Sequence, residues 1–456
     1  MPFLPRLVAP TDAMFLLPET REQPMHVGSL QLFTAPAGAG PDSLTELYLQ
    51  ALATPEVAEV FRKRPVRGFG TAGQWAWRDD EEIDLEHHVR HSSLPRPGRI
   101  RELLALSSRL HSSLLDRQRP LWEMHLIEGL ADGRFAVYTK LHHALMDGVS
   151  GLRLLERSLS TDPADRDMAM PFAARPRPPR EGGGFDPIGL LTGGAKAATD
   201  VVTLLPRLAS LVHEGLNAQG AVLPMQAPRS MFNVPITGSR RFAADDWSLS
   251  RIRAVAKAAG GTINDVVLAM SGAALRDYLL SLDALPDASL VAMTPVSLRQ
   301  DESAEGNSVG SILVSLGTDL DSAEQRMLHI MDSATKAKSA LAGLSQLQVS
   351  ALSAGIMSPL LLNTYLGVPP LLHPPFNLVI SNVPGPRKPL YWNGAHLDGM
   401  YPLSIPSTGQ ALNITVTSYV DSLQFGLTGC RRTVPHLQRL LTGLDVGLAS
   451  LETAFL

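Results

Sequence analysis

The sequence predicts an α/β fold in two halves, with mixed sheets and flanking helices. At 456 residues the chain exceeds the size at which one hydrophobic core usually stops growing, so two domains are expected. Strand and helix patterns alternate on both sides of residues 160–190, a stretch rich in Pro and Gly. We therefore expect an N-terminal half (1–160), a linker with a crossover helix (161–235) and a C-terminal half (236–456).

The composition is that of a globular protein and excludes several classes. Charged residues make up 18% of the chain and the net charge is −4, so no basic surface for nucleic acid is indicated. Cys430 is the only cysteine, which excludes a disulfide framework and a multi-cysteine metal site. No signal peptide is evident, and no uncharged apolar run reaches the roughly 18–20 residues that cross a bilayer. We expect a cytoplasmic protein, either soluble or peripheral.

One stretch, residues 140–150, joins a strand to a helix through two adjacent histidines. Residues 135–141 include β-branched and aromatic residues and no breaker, which predicts a strand. Residues 149–159 carry apolar side chains at helical spacing. His142 and His143 therefore lie at the end of a strand, where a rigid element can present a base to a cleft.

His143 is the candidate general base, because an Asp-Gly turn, Asp147-Gly148, follows it at short range. The pKa of an unperturbed histidine, about 6.5, suits this role near neutral pH. Asp147 either orients the imidazole directly, as in a catalytic triad, or anchors the turn by pairing with an arginine elsewhere. Since no G-x-S-x-G elbow, H-E-x-x-H motif, P-loop or dinucleotide fingerprint is present, we expect direct deprotonation of a substrate hydroxyl or amine. His142 has no assigned role beyond shaping the loop.

A second histidine pair raises the question of a metal site. His87 and His91 lie four residues apart, but no nearby acidic or histidine partner completes a recognised ligand set. We interpret both as solvated or hydrogen-bonded residues and predict no metal.

Several further elements carry the remaining motifs. Residues 42–64 are predicted to be helical, and so are residues 185–215, which form the crossover segment. Another helix opens at Thr262 or Asn264, either of which is a plausible cap. A buried strand runs into Ser381–Pro386, a stretch that we expect to lie outside regular structure.

These residues carry a resemblance to a known family. His142–Gly148 matches the HHxxxDG motif of the coenzyme-A-dependent acyltransferase superfamily. The chain also resembles the bacterial wax ester synthase/diacylglycerol acyltransferases in its companion motifs, which are Pro120–Trp122, Asn264–Ala269, Ser381–Pro386, Pro24–Gly28 and Leu94–Gly98. The resemblance runs from about residue 5 to the C-terminus, and separated motifs in the family's order are more specific than HHxxxDG alone.

The resemblance implies a fold, a reaction and partners. The fold would be two chloramphenicol-acetyltransferase-like halves that form a pseudo-dimer with a substrate tunnel between them. Acyl-CoA would donate a long-chain acyl group to a fatty alcohol or to diacylglycerol, giving wax esters or triacylglycerols. No cofactor is implied, because acyl-CoA is a substrate and coenzyme A a product. Peripheral contact with the inner membrane, a lipid droplet or a lipid inclusion is expected, and nucleic acid is not.

The resemblance also assigns roles to residues. His143 would act as the base without a covalent acyl-enzyme. Asp147 would be structural and pair with Arg299, and Gly148 would belong to the same turn. Three donors are candidates for substrate or oxyanion contacts, with capping and turn hydrogen bonds as the alternative: Asn264, Ser381 and Asn382. The channel would be shaped by Pro120, Trp122, Pro384 and Gly385.

Two alternatives stay open on the sequence. The first is an acyltransferase of the same superfamily with another hydroxyl or amine acceptor, since a sequence does not expose the lining of an acceptor pocket. The second is a non-catalytic lipid-surface protein, which an intact His143 and Asp147 disfavour.

Overall fold

The chain divides into two units that are both discontinuous in sequence. The computed structural model describes residues 6–71, 73–175, 222–297, 309–341 and 373–456, together with residues 349, 352, 353 and 356. The first unit comprises Met1–Ala174, Met231–Ala254 and Ser381–Asp445, and the second comprises Arg175–Ser230, Val255–Ile380 and Val446–Leu456. The domain limits and the substrate tunnel expected from the sequence stay predictions, and the crossover segment at 185–215 lies outside the described residues.

The described strands and helices are as follows. The strands are β1 (Arg6–Leu7), β2 (His26–Thr34), β3 (Lys63–Val66), β4 (Ala76–Asp79), β5 (Val89–Ser93), β6 (Trp122–Glu128), β7 (Phe135–His142), β8 (Arg240–Ser248), β9 (Val291–Ser297), β10 (Val309–Ser315), β11 (Leu378–Val383), β12 (Tyr391–Trp392), β13 (Ala395–Leu403), β14 (Leu412–Tyr419) and β15 (Ser422–Cys430). The helices are α1 (Pro10–Leu16), α2 (Ser43–Leu52), α3 (Glu59–Arg62), α4 (Leu85–His88), α5 (Ile100–Ser112), α6 (Gly148–Arg157), α7 (Leu249–Ala259), α8 (Ile263–Leu280), α9 (Ala323–Leu341) and α10 (Arg439–Phe455).

Strand β7, which leads to the histidine pair, lies inside a six-stranded sheet of the first unit. The strand order is β12-β13-β2-β7-β6-β5, and β7 runs antiparallel to both of its neighbours. Only β5 and β6 pair in parallel. Side chains alternate along β7, so that Val137 and Leu141 join one apolar cluster while Tyr138 joins another. Because it is hydrogen-bonded on both sides and buried on both faces, β7 ends at a rigid position.

Three further strands of the first unit form an antiparallel set in the order β14-β15-β8. Helix α5 contacts β8, and the hydroxyl of Ser108 on α5 accepts a hydrogen bond from the Phe242 N–H at 2.9 Å. In the second unit β9 pairs antiparallel with β10 and parallel with β11. The second unit also contains α8, which is buried along most of its length. Mixed sheets with flanking helices confirm the predicted α/β class.

Two local predictions were wrong. Residues 42–64 are not one helix: α2 ends at Leu52 and Pro55 follows, since a proline in a helix interior removes a hydrogen bond and clashes with the preceding turn. The last residues of that stretch form β3, which pairs with β4. The stretch Ser381–Pro386 is partly regular, because β11 continues through Val383 and the irregular turn begins only at Pro384.

Among the described helices, none alone is long and apolar enough to span a bilayer. The consecutive helices α7 and α8 have the required length and apolar composition only when they are counted as one segment, and the chain bends by 100° between them.

Candidate active site

His143 follows β7 directly and is held by its main chain and by one aromatic ring. Its N–H donates a hydrogen bond to the Met25 carbonyl oxygen at 2.9 Å, which ties the residue to the start of β2. Its imidazole stacks on Phe15, with ring centroids 3.9 Å apart and an interplanar angle of 20°. The side chain remains partly accessible. The local structure therefore fixes the ring while leaving part of it open.

The surroundings of His143 favour its neutral form. Burial lowers the pKa of His143 to about 4, against an upward effect of the Asp147 charge and a further downward effect of His142. A hydrogen bond between the ring and its own backbone raises that pKa slightly without reversing the shift. The imidazole is therefore neutral at pH 7 and has a lone pair that can accept a proton.

His142 points the other way, into the interior, and is fully buried. The Ala144 N–H donates to Nδ1 of His142 at 3.1 Å, so Nδ1 is an acceptor and Nε2 carries the ring proton. Nε2 lies 3.3 Å from Oε1 of Glu19 and has no hydrogen-bond partner among the described residues. The ring of His142 is thus enclosed and held through Nδ1, and its role in shaping the loop stays a prediction.

Glu19 is the residue of this site that the sequence did not reveal. Its carboxylate is almost completely buried and accepts hydrogen bonds from the Met25 N–H at 3.0 Å and from Nε of Arg117 at 2.9 Å. Burial raises the pKa of Glu19, but the contacts with His142, Met25 and Arg117 outweigh it and hold the pKa below its usual range. Glu19 therefore connects the segment before β2 to the histidine turn, across a sequence separation that hides the link.

Asp147 and Gly148 begin the helix that follows the histidines. Oδ1 of Asp147 accepts a hydrogen bond from the Ser150 N–H at 2.7 Å, so Asp147 is the N-cap of α6. A Cβ placed on Gly148 would meet no atom of the described residues within 4 Å, so packing among those residues does not demand glycine there. The predicted partner Arg299 lies outside the described residues, and that ion pair stays a prediction.

The candidate substrate contacts occupy element ends. Asn264 lies in the first turn of α8 in the second unit, where Thr262 rather than Asn264 is the N-cap. Ser381 and Asn382 lie on the last residues of β11 in the first unit, and all three side chains are partly accessible. Their roles toward substrate stay predictions.

Gly385 sits where only a glycine fits. Its N–H donates to the Ser418 hydroxyl at 3.0 Å, and a Cβ at this position would approach the Ser418 carbonyl oxygen to 2.1 Å. The contact presses the turn that begins at Pro384 against β14. This packing explains the glycine without reference to a channel.

Trp122 belongs to a buried apolar cluster of the first unit. Its Nε1 donates to the Phe61 carbonyl oxygen at 2.9 Å, and its ring stacks on His88 and Phe172. Pro120 is buried beside it. These contacts describe core packing, and the predicted role of the motif in shaping a channel stays a prediction.

A buried charge pair supports β7 just before the histidines. Nζ of Lys140 lies 2.9 Å from Oε2 of Glu123 and donates to the carbonyl oxygens of Leu110 and Ser113 at 3.2 and 3.1 Å. Burial raises the pKa of Glu123, but His125, Lys140 and Arg90 more than offset it and lower the pKa to about 2. Both charges are thereby satisfied, and the pair ties β7 to β6 and to the end of α5.

The second histidine pair forms no ligand cluster. His87 follows the cap of α4, where its N–H donates to Asp84 at 3.2 Å, and Nε2 of His91 lies 3.4 Å from Glu128. In the part of the chain that the structure describes, no group of three His, Cys, Asp or Glu residues is arranged to hold a metal ion.

Comparisons with known proteins place this site in a family. A model of the wax ester synthase/diacylglycerol acyltransferase catalytic domain matches residues 8–267, and a model of the C-terminal domain of the same family matches residues 305–452. A probable diacylglycerol O-acyltransferase of Mycobacterium tuberculosis is 52% identical over 457 residues, which cover 98% of this chain and 99% of the relative.

Two solved structures also resemble this chain, one of them a member of the same family. The wax ester synthase/diacylglycerol acyltransferase from Marinobacter aquaeolei matches with a TM-score of 0.80 at 45% identity, over 98% of this chain and 99% of that chain. The first condensation domain of the calcium-dependent antibiotic synthetase matches with a TM-score of 0.57 at 18% identity, over 98% of this chain and 96% of that chain, which is a likeness of fold alone.

The family models, the relative and the Marinobacter structure together define the class of this protein, which is an acyltransferase. The chain belongs to the wax ester synthase/diacylglycerol acyltransferase family. The predicted family, enzyme class and fold class are confirmed.

Proposed function

We propose that this chain transfers a long-chain fatty acyl group from acyl-CoA to the free hydroxyl of diacylglycerol, of a fatty alcohol, or of both. The products are triacylglycerols and wax esters. The observation that carries the proposal is the neutral, partly accessible imidazole of His143, fixed at the rigid end of β7. The name of the M. tuberculosis relative supports diacylglycerol as an acceptor, and the name of the Marinobacter structure supports both acceptors.

In the proposed reaction His143 is the general base. The imidazole takes the proton of the acceptor hydroxyl while the oxygen attacks the thioester carbonyl carbon. The tetrahedral oxyanion collapses, the C–S bond breaks, and the proton on His143 passes to the leaving sulfur, which gives coenzyme A and an ester. Electrons and protons balance without a covalent acyl-enzyme, a metal or another cofactor.

The developing oxyanion needs hydrogen-bond donors that are in place beforehand. Asn264, Ser381 and Asn382 are our candidates, because each can donate and each belongs to a motif of the family. Asp147 acts through the turn by capping α6, so we assign it a positioning role.

The test follows the release of coenzyme A thiol. Purified protein is mixed with palmitoyl-CoA and either hexadecanol or dioleoylglycerol, and the ester product is identified. We expect thiol release with at least one acceptor and a loss of about 100-fold or more in His143→Ala, the range for a general base. His87→Ala is the matched control and should retain full activity. Equal release from wild type and His143→Ala would contradict the assignment of the base.

The same assay separates the two alternatives. An acyltransferase with another acceptor would leave both lipid acceptors unused but would respond to a hydroxyl or amine compound of another class. A non-catalytic lipid-surface protein would release no thiol with any acceptor.

We also propose a point of contact with lipid. Phe69 is fully exposed on the short turn Phe69–Thr71, between two glycines and two residues after Arg67. An exposed aromatic ring beside a basic residue suits the boundary between headgroups and acyl chains. Phe69→Ser should weaken co-sedimentation with vesicles of phosphatidylcholine and phosphatidylglycerol, while Leu49→Ser, on exposed α2, should not. If Phe69→Ser and Leu49→Ser weakened co-sedimentation equally, the proposal that this turn contacts lipid would be contradicted.

A further inference from the structure

A cavity of the first unit lies away from the histidine turn, between α5 and the start of β8. Its volume is about 480 Å³. Four arginines line it, and they come from three separate segments: Arg109 on α5, Arg240 and Arg241 on β8, and Arg431 just after β15. None of the residues 142–148 contributes to its lining. The proton transfer assigned to His143 makes no use of this cavity.

Among the described residues, no carboxylate is paired with the arginines of this cavity. Its one lining carboxylate, Glu102, is already engaged by Arg99, which donates to it from the main-chain N–H at 2.8 Å and from Nη2 at 3.3 Å. Within the described ranges, none of the four lining arginines lies within 4.0 Å of a carboxylate oxygen. A concave wall with several guanidinium groups and no counter-charge attracts anions.

Arg240 is buried and held by hydrogen bonds, so its position at the cavity is fixed by the fold. The residue is only 3% exposed. Its guanidinium donates to the carbonyl oxygens of Thr237 and, at 2.9 Å, of Glu22, while its N–H donates to the Ser112 hydroxyl at 2.8 Å. Burial lowers the pKa of Arg240 to about 10, which still leaves it charged at neutral pH. A buried charge whose hydrogen-bond acceptors are neutral carbonyl oxygens is costly, and an anion in the cavity would offset that cost.

We propose that this cavity binds a phosphomonoester through its cluster of arginines. A phosphomonoester carries close to two negative charges at neutral pH, and its oxygens match the planar fork of a guanidinium. The cavity is larger than a bare phosphate requires, and Pro95 and Ala105 give it an apolar part for the attached group. Three candidate ligands present such a phosphate group: inorganic phosphate, the 3′-phosphate of coenzyme A, and the headgroup of phosphatidate.

The variants are chosen so that the fold is preserved. Arg109 and Arg431 are exposed side chains, and the double variant Arg109→Gln/Arg431→Gln removes two of the charges. Arg240 is left intact because it also holds the main chain at Glu22. Arg101→Gln is the matched control, since Arg101 is exposed on the same helix but does not line the cavity.

Binding is measured on the full chain by calorimetry with inorganic phosphate, coenzyme A and 3′-dephospho-coenzyme A. Co-sedimentation with phosphatidylcholine vesicles, with and without phosphatidate, forms the lipid arm. We expect at least one phosphomonoester to bind, and the double variant to weaken that binding by about tenfold or more while Arg101→Gln leaves it unchanged.

The separate binding measurements identify which phosphomonoester occupies the cavity. A preference for coenzyme A over its dephospho form that disappears in the double variant indicates the 3′-phosphate, and a phosphatidate-dependent gain that disappears indicates the headgroup. Binding of inorganic phosphate alone indicates a free-phosphate site. The proposal is overturned if no probe binds the wild type, or if the double variant binds every probe as the wild type does. No turnover enters the measurement, so this result is separate from that of the thiol assay.

Discussion

At the scale of single residues, His142 and His143 are adjacent in sequence but lie in different environments. His143 keeps an accessible, neutral ring, whereas His142 is enclosed, with Nδ1 accepting a hydrogen bond and Nε2 directed at Glu19. The end of β7 separates them, because His142 is the last residue of the strand and His143 is the first residue of the turn that follows. One imidazole can thus hold the loop while the other meets a substrate.

The pH dependence of acyl transfer tests the state of His143. Because burial lowers its pKa to about 4, the neutral base predominates above that pH. We expect kcat/KM to stay level from neutral pH down to about 5 and to fall only as the pH approaches 4. Asp147→Asn removes a nearby negative charge and should move the fall to lower pH. A fall centred near 6.5, the value of an unperturbed histidine, would contradict the buried environment.

Glu19 should be essential for stability. Glu19→Ala leaves Arg117 and His142 without their carboxylate, and breaking one partner out of a buried charged network costs about 3–5 kcal/mol of the free energy of unfolding. Urea unfolding at neutral pH measures the change. Because the pKa of Glu19 is lowered, this stabilisation is present above its unfolded pKa, near 4.5, and is lost as the pH falls through the folded value.

The control for this variant is Glu22→Ala. Glu22 lies in the same segment but its side chain is exposed, and its contact with Arg240 uses the main-chain carbonyl, which the substitution keeps. Similar losses from the two variants would show that Glu19 does not act as an anchor.

At the scale of elements, the turn from β7 to α6 depends on Asp147 as the cap of the helix. Asp147→Ala removes the acceptor of the Ser150 N–H, and we expect a loss of about 1 kcal/mol in the free energy of unfolding together with reduced activity. Asp147→Asn keeps a good capping group and removes only the charge.

The two variants separate the cap from the ion pair expected with Arg299. If capping is the whole role, Asp147→Asn should retain the stability of the wild type. If the carboxylate must also pair with a cation, Asp147→Asn should lie between the wild type and Asp147→Ala in stability, and Arg299→Gln should match Asp147→Asn. Circular dichroism with urea unfolding distinguishes these results.

Local sequence patterns predicted a strand or helix well where the pattern was clear and where no pairing with a distant strand competed with it. The strand at 135–141 and the helix after Gly148 are both found, because the first contains β-branched and aromatic residues without a breaker and the second has apolar residues at helical spacing. The helix predicted at 42–64 is wrong, since its last residues pair with β4, and no local pattern records that partner. Glu19 was missed for the same reason: a single buried carboxylate becomes recognisable only when the fold brings Arg117 and His142 to it.

At the scale of the whole molecule, the first unit is completed by strands from the far end of the chain. β13 pairs with β2, with His396 opposite Thr34, and so extends the sheet that carries the histidine turn. A sequence read in order suggests an N-terminal and a C-terminal half, because nothing local marks a strand that crosses from one region to another. The family resemblance predicted the fold class but not this exchange.

The first unit should lose stability in mild acid, because it holds buried histidines in their neutral form. Burial lowers the pKa of His88 to about 4 and that of His111 to about 3. Between those values and 6.5 the unfolded chain binds more protons than the folded one, so the free energy of unfolding must fall as the pH drops. For His88 alone the shift corresponds to about 3 kcal/mol over that range.

Tryptophan fluorescence reports this loss selectively. The chain has five tryptophans, and all of them lie in segments of the first unit: Trp75, Trp77, Trp122, Trp247 and Trp392. We expect the urea midpoint to fall between pH 6.5 and 4.5, above the range in which Glu19 and Glu123 titrate. His88→Phe keeps an aromatic ring against Trp122 and removes one titrating group, so the slope should become shallower. The control His373→Phe changes an exposed residue of the second unit and should leave the slope as it is. Equal slopes in wild type and His88→Phe would show that His88 does not resist protonation, and the acid sensitivity would then have to come from other groups.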